Sequence, residues 1–174
     1  MSDFDWLRQR LESAFGQLLS QAPELARIWG QWFEALEGEP VPLARLEKPL
    51  REVRLALVTT GGVHLRAQTP FDMRDSRGDP TYRAIPADTP VNELAITHDY
   101  YDHTDAERDL NILFPLELAR ELAARGAIGG LGTCYGFMGH IEPPHVETLI
   151  RQTAPEVAGM LRQEKIDAVL LTPA

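Results

Sequence analysis

The chain has 174 residues, of which 17 are basic and 26 acidic, so its formal charge at neutral pH is −9. This length suits one globular domain, and a hydrophobic content of 44% with a charged content of 25% is ordinary for a soluble protein. The excess of acid argues against nonspecific binding to nucleic acid or to an anionic membrane, since both favour a basic surface.

The first predicted elements are two amphipathic helices within residues 3–37. Apolar and aromatic side chains recur there every three or four residues, which is the period of a helix with one buried face. Gly38 and the prolines at 40, 42 and 49 then predict an extended connector. Residues 1–50 are therefore predicted to be a helical hairpin with a proline-rich connector. Its aromatic stripe either covers the main domain or docks a partner.

The remaining residues, 51–174, show alternating strand and helix patterns. The predicted order is a strand over 53–59, a short strand over 94–97, a helix from Pro115 to Gly126, a strand over 127–134, a helix that starts at a capping box over 153–156, and a strand over 166–172.

Strands that are apolar throughout and separated by helices favour a parallel sheet covered on both faces. We therefore expect an α/β domain with three layers, of the Rossmann-like or flavodoxin-like kind. In such sheets, the residues after the strands converge on the binding crevice. Here the strand ends fall at residues 59–62, 97–99, 133–135 and 172–173, and most of these residues are small or polar.

The first candidate site follows the strand over 53–59. Gly61 and Gly62 can bring backbone N–H groups close to a carboxylate or a phosphate, and His64 follows them. The segment matches neither the dinucleotide-binding fingerprint nor the Walker A pattern. A tight turn without a ligand is the alternative.

The second candidate is the cluster of histidines and carboxylates over residues 98–109. His98 and His103 can bind a divalent metal or carry protons, because the imidazole pKa lies near neutrality. Their spacing of five does not place both on one helix face, so the usual zinc-protease pattern is missing. A solvated loop without a metal is the alternative.

Cys134 and Arg83 are further candidates. Cys134 lies in a glycine-rich segment and acts as a nucleophile if a nearby positive charge lowers its pKa, whereas a buried cysteine behaves as a small hydrophobic residue. Arg83 belongs to a long excursion over 69–86, where an arginine can clamp a substrate carboxylate or can simply be solvated.

The compartment is predicted from the N-terminus and from cysteine usage. Residues 1–8 are charged rather than an apolar targeting segment, and the apolar runs are far shorter than the roughly 20 residues that span a bilayer. A single cysteine forms no internal disulfide, so nothing requires an oxidising environment. We expect a cytoplasmic protein.

Several short motifs occur in one order: 57–64 (LVTTGGVH), 70–72 (PFD), 78–83 (GDPTYR), 96–102 (ITHDYYD), 109–115 (DLNILFP), 126–129 (GAIG), 135–139 (YGFMG) and 167–173 (DAVLLTP). This series, spread over residues 53–174, resembles the selenoprotein B family of the glycine, sarcosine, betaine and D-proline reductases.

The resemblance implies an oxidoreductase that cleaves a C–N bond of a small amino acid or amine reductively. It implies a selenol or thiol as the electron carrier, a thiol reductant, and a pyruvoyl group on a partner subunit that captures the substrate amine. From strand-end position and motif match we assign catalytic roles to Cys134 and to His98 or His103. Substrate binding is assigned to four further residues: Gly61, Gly62, His64 and Arg83.

One feature departs from the family pattern. The resemblance implies a redox-active selenocysteine or cysteine, with a companion cysteine nearby, just after the strand over 167–173 or further along the chain, whereas the sequence ends at Ala174. No cofactor is evident in the chain itself. We expect that the chain stops at an in-frame selenocysteine codon or is one piece of a split protein. The alternatives are a non-catalytic binding or assembly subunit that has lost the redox pair, and a metal-dependent hydrolase that uses residues 98–109.

Overall fold

This computed structural model describes residue 24 and residues 44–174. Apart from Glu24, which is helical, the predicted hairpin over 3–37 and its aromatic stripe lie outside the described residues. No helix in the described part of the chain is long and apolar enough to cross a membrane.

The chain divides into two compact units. One contains residues 1–45 and 99–102, and the other contains residues 46–98 and 103–174. In the first unit the structure describes residue 24, residues 44–45 and residues 99–102, of which 99–101 form a bend. The boundary predicted at residue 50 stays a prediction. The sheet and its surrounding helices belong to the second unit.

Within its described residues the second unit has these strands: β1 (Arg54–Thr59), β2 (Val63–Leu65), β3 (Arg83–Ile85), β4 (Leu94–Ile96), β5 (Gly130–Leu131), β6 (Cys134–Gly136) and β7 (Ala168–Thr172). β1 pairs in parallel with β5, β6 and β7, and β3 pairs antiparallel with β6. β5 and β6 pair with opposite ends of β1, whereas β7 pairs along nearly its whole length, so β7 lies on the other edge of β1. The prediction of an α/β domain with a parallel sheet is confirmed in part, because the sheet is mostly parallel and β3 is its antiparallel strand.

The sequence analysis placed the strand over 94–97 in the parallel sheet, and this prediction is wrong: β4 does not join that sheet. It pairs antiparallel with β2 in a separate sheet of two strands, with Val63 opposite Ile96. The chain turns out of β1 at Gly62, whose φ is +69°. The N–H of Thr97 donates to the carbonyl oxygen of Gly62 at 2.9 Å, which joins the end of β4 to that turn.

The helices in the described residues are α1 (Thr104–Arg108), α2 (Leu116–Ala124), α3 (His145–Thr148) and α4 (Ala154–Gln163), with 3₁₀ turns at Leu50–Glu52, Val91–Glu93 and Leu110–Ile112. α2 begins after Pro115 and ends before Gly126, whose φ is +71°. The helix predicted between these two residues is confirmed.

The predicted capping box at Thr153 is wrong. Thr153 has helical backbone angles and lies inside a helical stretch in which the π-helical turn Leu149–Thr153 joins α3 to α4. Its buried hydroxyl donates to the carbonyl oxygen of Pro80 at 2.8 Å instead of capping a helix. The threonine therefore anchors the loop that precedes β3.

The core lies between the sheet and these helices. Ala56 and Leu57 of β1 are fully buried, and Tyr135 and Phe137 pack against Val157 of α4. β7 differs, because Val169, Leu170 and Leu171 are 39%, 44% and 68% exposed. A strand predicted to be covered on both faces is thus open in this structure, and the three-layer architecture stays a prediction.

Candidate active site at the carboxyl edge of the sheet

The ends of the parallel strands β1, β6 and β7 meet the residues that follow β4 in one cluster, which we call the carboxyl edge: residues 59–62, 97–98, 137–139 and 172–174. The hydroxyl of Thr59 donates to the carbonyl oxygen of Thr172 at 2.9 Å. The N–H of Phe137 donates to the carbonyl oxygen of Thr59 at 2.8 Å, and Gly61 forms a bridge with Met138. The ends of β1, β6 and β7 thus converge as their parallel pairing requires.

The two glycines of the edge serve close packing. A Cβ at Gly62 would lie 2.3 Å from the carbonyl oxygen of Thr97, and a Cβ at Gly61 would lie 2.5 Å from a methyl group of Leu113. The N–H of Gly62 donates to the carbonyl oxygen of Phe137, and that of Gly61 donates to the Thr59 hydroxyl. Both groups are engaged inside the protein, which does not favour the carboxylate binding predicted for them.

His98 is buried at the carboxyl edge, with 3% of its surface exposed. Its Nε2 accepts a hydrogen bond of 3.2 Å from the N–H of Gly139. An accepting Nε2 carries no proton, so the ring in this arrangement is neutral with its proton on Nδ1. A Cβ at Gly139 would lie 2.9 Å from the carbonyl oxygen of Ala174. Gly139, which donates to His98, therefore packs against the residues that follow β7.

His64 is also buried, on β2. Its Nδ1 donates to the carbonyl oxygen of Leu65 and its Nε2 is 2.8 Å from the hydroxyl of Thr97. The ring meets Phe71 edge-on, with centroids 6.1 Å apart. Because both ring nitrogens have protein partners, the imidazole links β2 to the end of β4, and its predicted contact with a substrate stays a prediction.

His103 lies directly before α1 and is more accessible than His98. Its Nδ1 is 3.0 Å from a carboxylate oxygen of Glu107, which is largely exposed. In the described ranges, no group of three or more histidine, cysteine or acidic side chains is arranged to hold a metal ion.

Cys134 lies inside the sheet. It is fully buried at the start of β6, opposite the middle of β1, and its sulfur accepts a hydrogen bond of 3.3 Å from the N–H of Leu57. Burial raises the pKa of the thiol to about 11. A thiol that stays protonated at neutral pH is a poor nucleophile, so these surroundings do not favour the predicted catalytic role.

Arg83 is committed to the protein. Its Nε donates to the carbonyl oxygen of Thr69 at 2.7 Å, and Nη2 donates to that of Pro70 at 3.0 Å. Nη1 donates to the hydroxyl of Thr81 and the carbonyl oxygen of Tyr82. With most of its five N–H donors used, the guanidinium has little left for a substrate carboxylate.

We call residues 66–82, between β2 and β3, the charged loop. Arg83, the first residue of β3, holds this loop in place. The guanidinium lies 4.4 Å from the ring centroid of Phe71 and 3.5 Å from a carboxylate oxygen of Asp79. Burial raises the pKa of Asp79, but hydrogen bonds from Thr81 and Asp72 and the charge of Arg83 outweigh it, so this pKa is lowered overall.

A second anchor of the charged loop escaped the sequence analysis. His145, the first residue of α3, donates from Nε2 to Asp75 at 2.8 Å, and Arg77 donates to the same carboxylate. The hydrogen bonds from Arg77 and His145 hold the pKa of Asp75 well below its usual range. The pairing joins residues 70 positions apart, so the only local signal was the arginine two residues after the aspartate.

Comparison with known proteins identifies the family. Residues 33–174, more than half of the chain, match the family model of the glycine/sarcosine/betaine reductase selenoprotein B. The chain belongs to this selenoprotein B family. Membership confirms the resemblance given by the ordered motifs over residues 53–174.

One curated relative is the D-proline reductase subunit gamma of Acetoanaerobium sticklandii. It is 39% identical to this selenoprotein B family chain over 126 residues, which are 72% of this chain and 50% of the relative. The chain therefore spans about half the length of the curated relative that it matches. No solved structure shows significant similarity to this chain.

Proposed function

We propose that this chain is part of a reductase that cleaves the C–N bond of a small amino acid or amine with electrons from thiols. Membership of the selenoprotein B family carries the proposal. Among the candidate substrates, glycine, sarcosine, betaine and D-proline, the 39% identity to a D-proline reductase subunit favours D-proline.

The overall reaction consumes two electrons and two protons. The C–N bond breaks, the carbon and the nitrogen each gain a hydrogen, and two thiols become one disulfide. A selenocysteine in the complex would supply a nucleophile that is ionised at neutral pH. A pyruvoyl carbonyl on a partner subunit would supply an electrophile for the substrate amine. The chain's own task in such a reaction is to hold and move protons at the carboxyl edge.

His98 is the residue that we assign to proton transfer. It is a buried imidazole at the convergence of the strand ends, and its hydrogen bond from Gly139 leaves the proton on Nδ1. Near physiological pH a neutral imidazole takes up a proton at its unprotonated nitrogen and gives it up again. In His98 that nitrogen is Nε2, so proton uptake exchanges the hydrogen bond from Gly139 for the incoming proton. His103, which precedes α1 and faces Glu107, is the second candidate for the same role.

The direct test uses the reductase complex that contains this chain, purified with its partner subunits. We expect loss of D-proline, or of one of the other three substrates, in step with oxidation of an added dithiol, and no loss when this chain is omitted. If none of the four substrates is consumed by the assembled complex, the proposed function is wrong.

A second candidate is a non-catalytic assembly subunit. The buried thiol of Cys134, with its raised pKa, favours it, because this cysteine offers no reactive thiolate. The same purification separates the two, since an assembly subunit carrying His98→Gln would leave the turnover of the complex unchanged. We also propose the cytoplasm as the compartment, because a lone buried cysteine calls for no oxidising environment.

A further inference from the structure

His64 has a hydrogen-bonded position that the proposed reaction does not use. It is 3% exposed although it lies on a strand of only three residues. One ring nitrogen is 2.8 Å from the carbonyl oxygen of Leu65, and the other is 2.8 Å from the hydroxyl of Thr97. A buried imidazole that is satisfied on both sides has a defined orientation and a defined tautomer.

The direction of these bonds follows from the chemistry of the partners. The carbonyl oxygen of Leu65 only accepts, so Nδ1 of His64 carries a proton. In the neutral ring Nε2 is then an acceptor, and the Thr97 hydroxyl must donate to it. His64 therefore sets the rotamer of Thr97, the residue directly before His98.

The backbone of Thr97 is fixed from the same side. Its N–H donates to the carbonyl oxygen of Gly62 at 2.9 Å, and Gly62 approaches so closely that a Cβ added to it would lie only 2.3 Å from the Thr97 carbonyl oxygen. Because the hydroxyl and the N–H of Thr97 are both hydrogen-bonded, the position of Thr97 fixes the position of the next residue, His98. There, Nε2 of His98 accepts from the N–H of Gly139.

We propose that His64 is a positioning residue which, through the hydroxyl of Thr97, holds His98 against the N–H of Gly139 and keeps its proton on Nδ1. Its catalytic consequence rests on the proposed function, whereas the structural statement does not. The predicted role of His64 as a substrate ligand is thereby replaced with an indirect one.

The first test measures the wild-type chain in full length by long-range ¹⁵N–¹H NMR of its histidine rings. We expect both His64 and His98 to show the Nδ1–H tautomer at neutral pH. A ring of either histidine that carries its proton on Nε2 overturns the proposal, and this result does not depend on any activity.

The second test removes the hydroxyl. In Thr97→Val, which keeps the shape of the side chain, we expect His98 to lose its single tautomer and the Gly139 amide to exchange about tenfold faster or more. Thr97→Ser keeps a hydroxyl and is expected to restore both signals. Unchanged His98 and Gly139 signals in a folded Thr97→Val chain contradict the proposal.

The third readout is turnover of the assembled reductase. Misplacing a reacting group costs about ten- to a hundredfold in rate, so Thr97→Val is expected to lower kcat by that factor with KM nearly unchanged, and Thr97→Ser to recover it. A purely structural role would lower the stability of the chain without this split between kcat and KM. If the NMR results hold and the wild-type complex reduces nothing, the proposed function fails and the positioning role stands.

Discussion

The carboxyl edge and the charged loop are held by different kinds of interaction. At the edge, glycines allow backbones to approach closely, and the hydrogen bonds join neutral groups such as His98 and Gly139. In the loop, charged side chains carry the structure, with Arg83 bound to Thr69 and Pro70. We therefore expect the stability of the carboxyl edge to depend on close packing around its glycines, and the stability of the charged loop to depend on its charged side chains.

The largest expected effect is that of Gly62→Ala at the edge. An alanine there combines a φ of +69° with a Cβ 2.3 Å from the carbonyl oxygen of Thr97, so we expect a loss of about 3 kcal/mol or more in the free energy of unfolding. Denaturant titration measures it. Gly126→Ala is the matched control, since Gly126 has a φ of +71° and a Cβ added there would have no atom within 4 Å. Equal losses in the two variants would show that crowding at the edge is unimportant.

The next effect is that of Arg83 on the charged loop. Arg83→Ala removes the donors of several carbonyl groups, and we expect a loss of about 2 kcal/mol in the free energy of unfolding. Arg83→Lys is expected to restore little, because an ammonium group cannot reproduce the planar fork. The control is Arg125→Ala, an exposed pair with Glu121, which is expected to change stability by about 0.5 kcal/mol or less. A lysine that fully restores stability contradicts this account of the loop.

A smaller effect concerns acid. The pKa of folded Asp75 lies well below its usual range, because Arg77 and His145 donate to its carboxylate. A depressed folded pKa adds stability above the unfolded pKa of about 3.9, and that stability is lost as the pH falls through and below this value. Wild type is thus expected to exceed Asp75→Asn in denaturant midpoint at pH 7, with the gap narrowing toward pH 3. A gap that widens in acid has the wrong sign for this pairing.

The smallest effect is that of a glycine that belongs to neither region. Gly159 lies inside α4, and a Cβ added there would have no atom within 4 Å. Gly159→Ala is therefore expected to stabilise the chain by up to about 1 kcal/mol through helix propensity. Destabilisation in the same titration would mean that open space around a glycine does not predict tolerance here, and would weaken the comparison with Gly62.

The sequence predicted the elements that local patterns determine. The apolar run of β1, the helix between Pro115 and Gly126 and the strand β7 all lie where their residues indicated. The pairing of β2 with β4 was not predicted, because strands of three residues carry almost no periodic signal and the contact of Gly62 with Thr97 is not local.

The candidate site was predicted in part. Convergence of the ends of β1, β6 and β7 follows from their parallel pairing. His98 reaches the same edge by another route, because the N–H of Thr97 donates to the carbonyl oxygen of Gly62 at the end of the antiparallel strand β4. The functional roles assigned to these residues stay predictions. The environments of Cys134 and Arg83 could not be predicted from the sequence, because the burial of the thiol and the hydrogen bonds of the guanidinium depend on residues that the fold brings together. The tie between Asp75 and His145 was missed for the same reason.

The most direct test of the account is the turnover of D-proline by the assembled reductase that carries His98→Gln. The amide oxygen of glutamine can still accept the hydrogen bond from Gly139, yet the side chain transfers no proton, so structure and chemistry are separated in one variant. We predict that kcat falls by about a hundredfold or more while the complex assembles normally and exposed Glu121→Gln stays at the wild-type rate. A His98→Gln complex that turns over at the wild-type rate would contradict the assignment of His98 as the proton carrier.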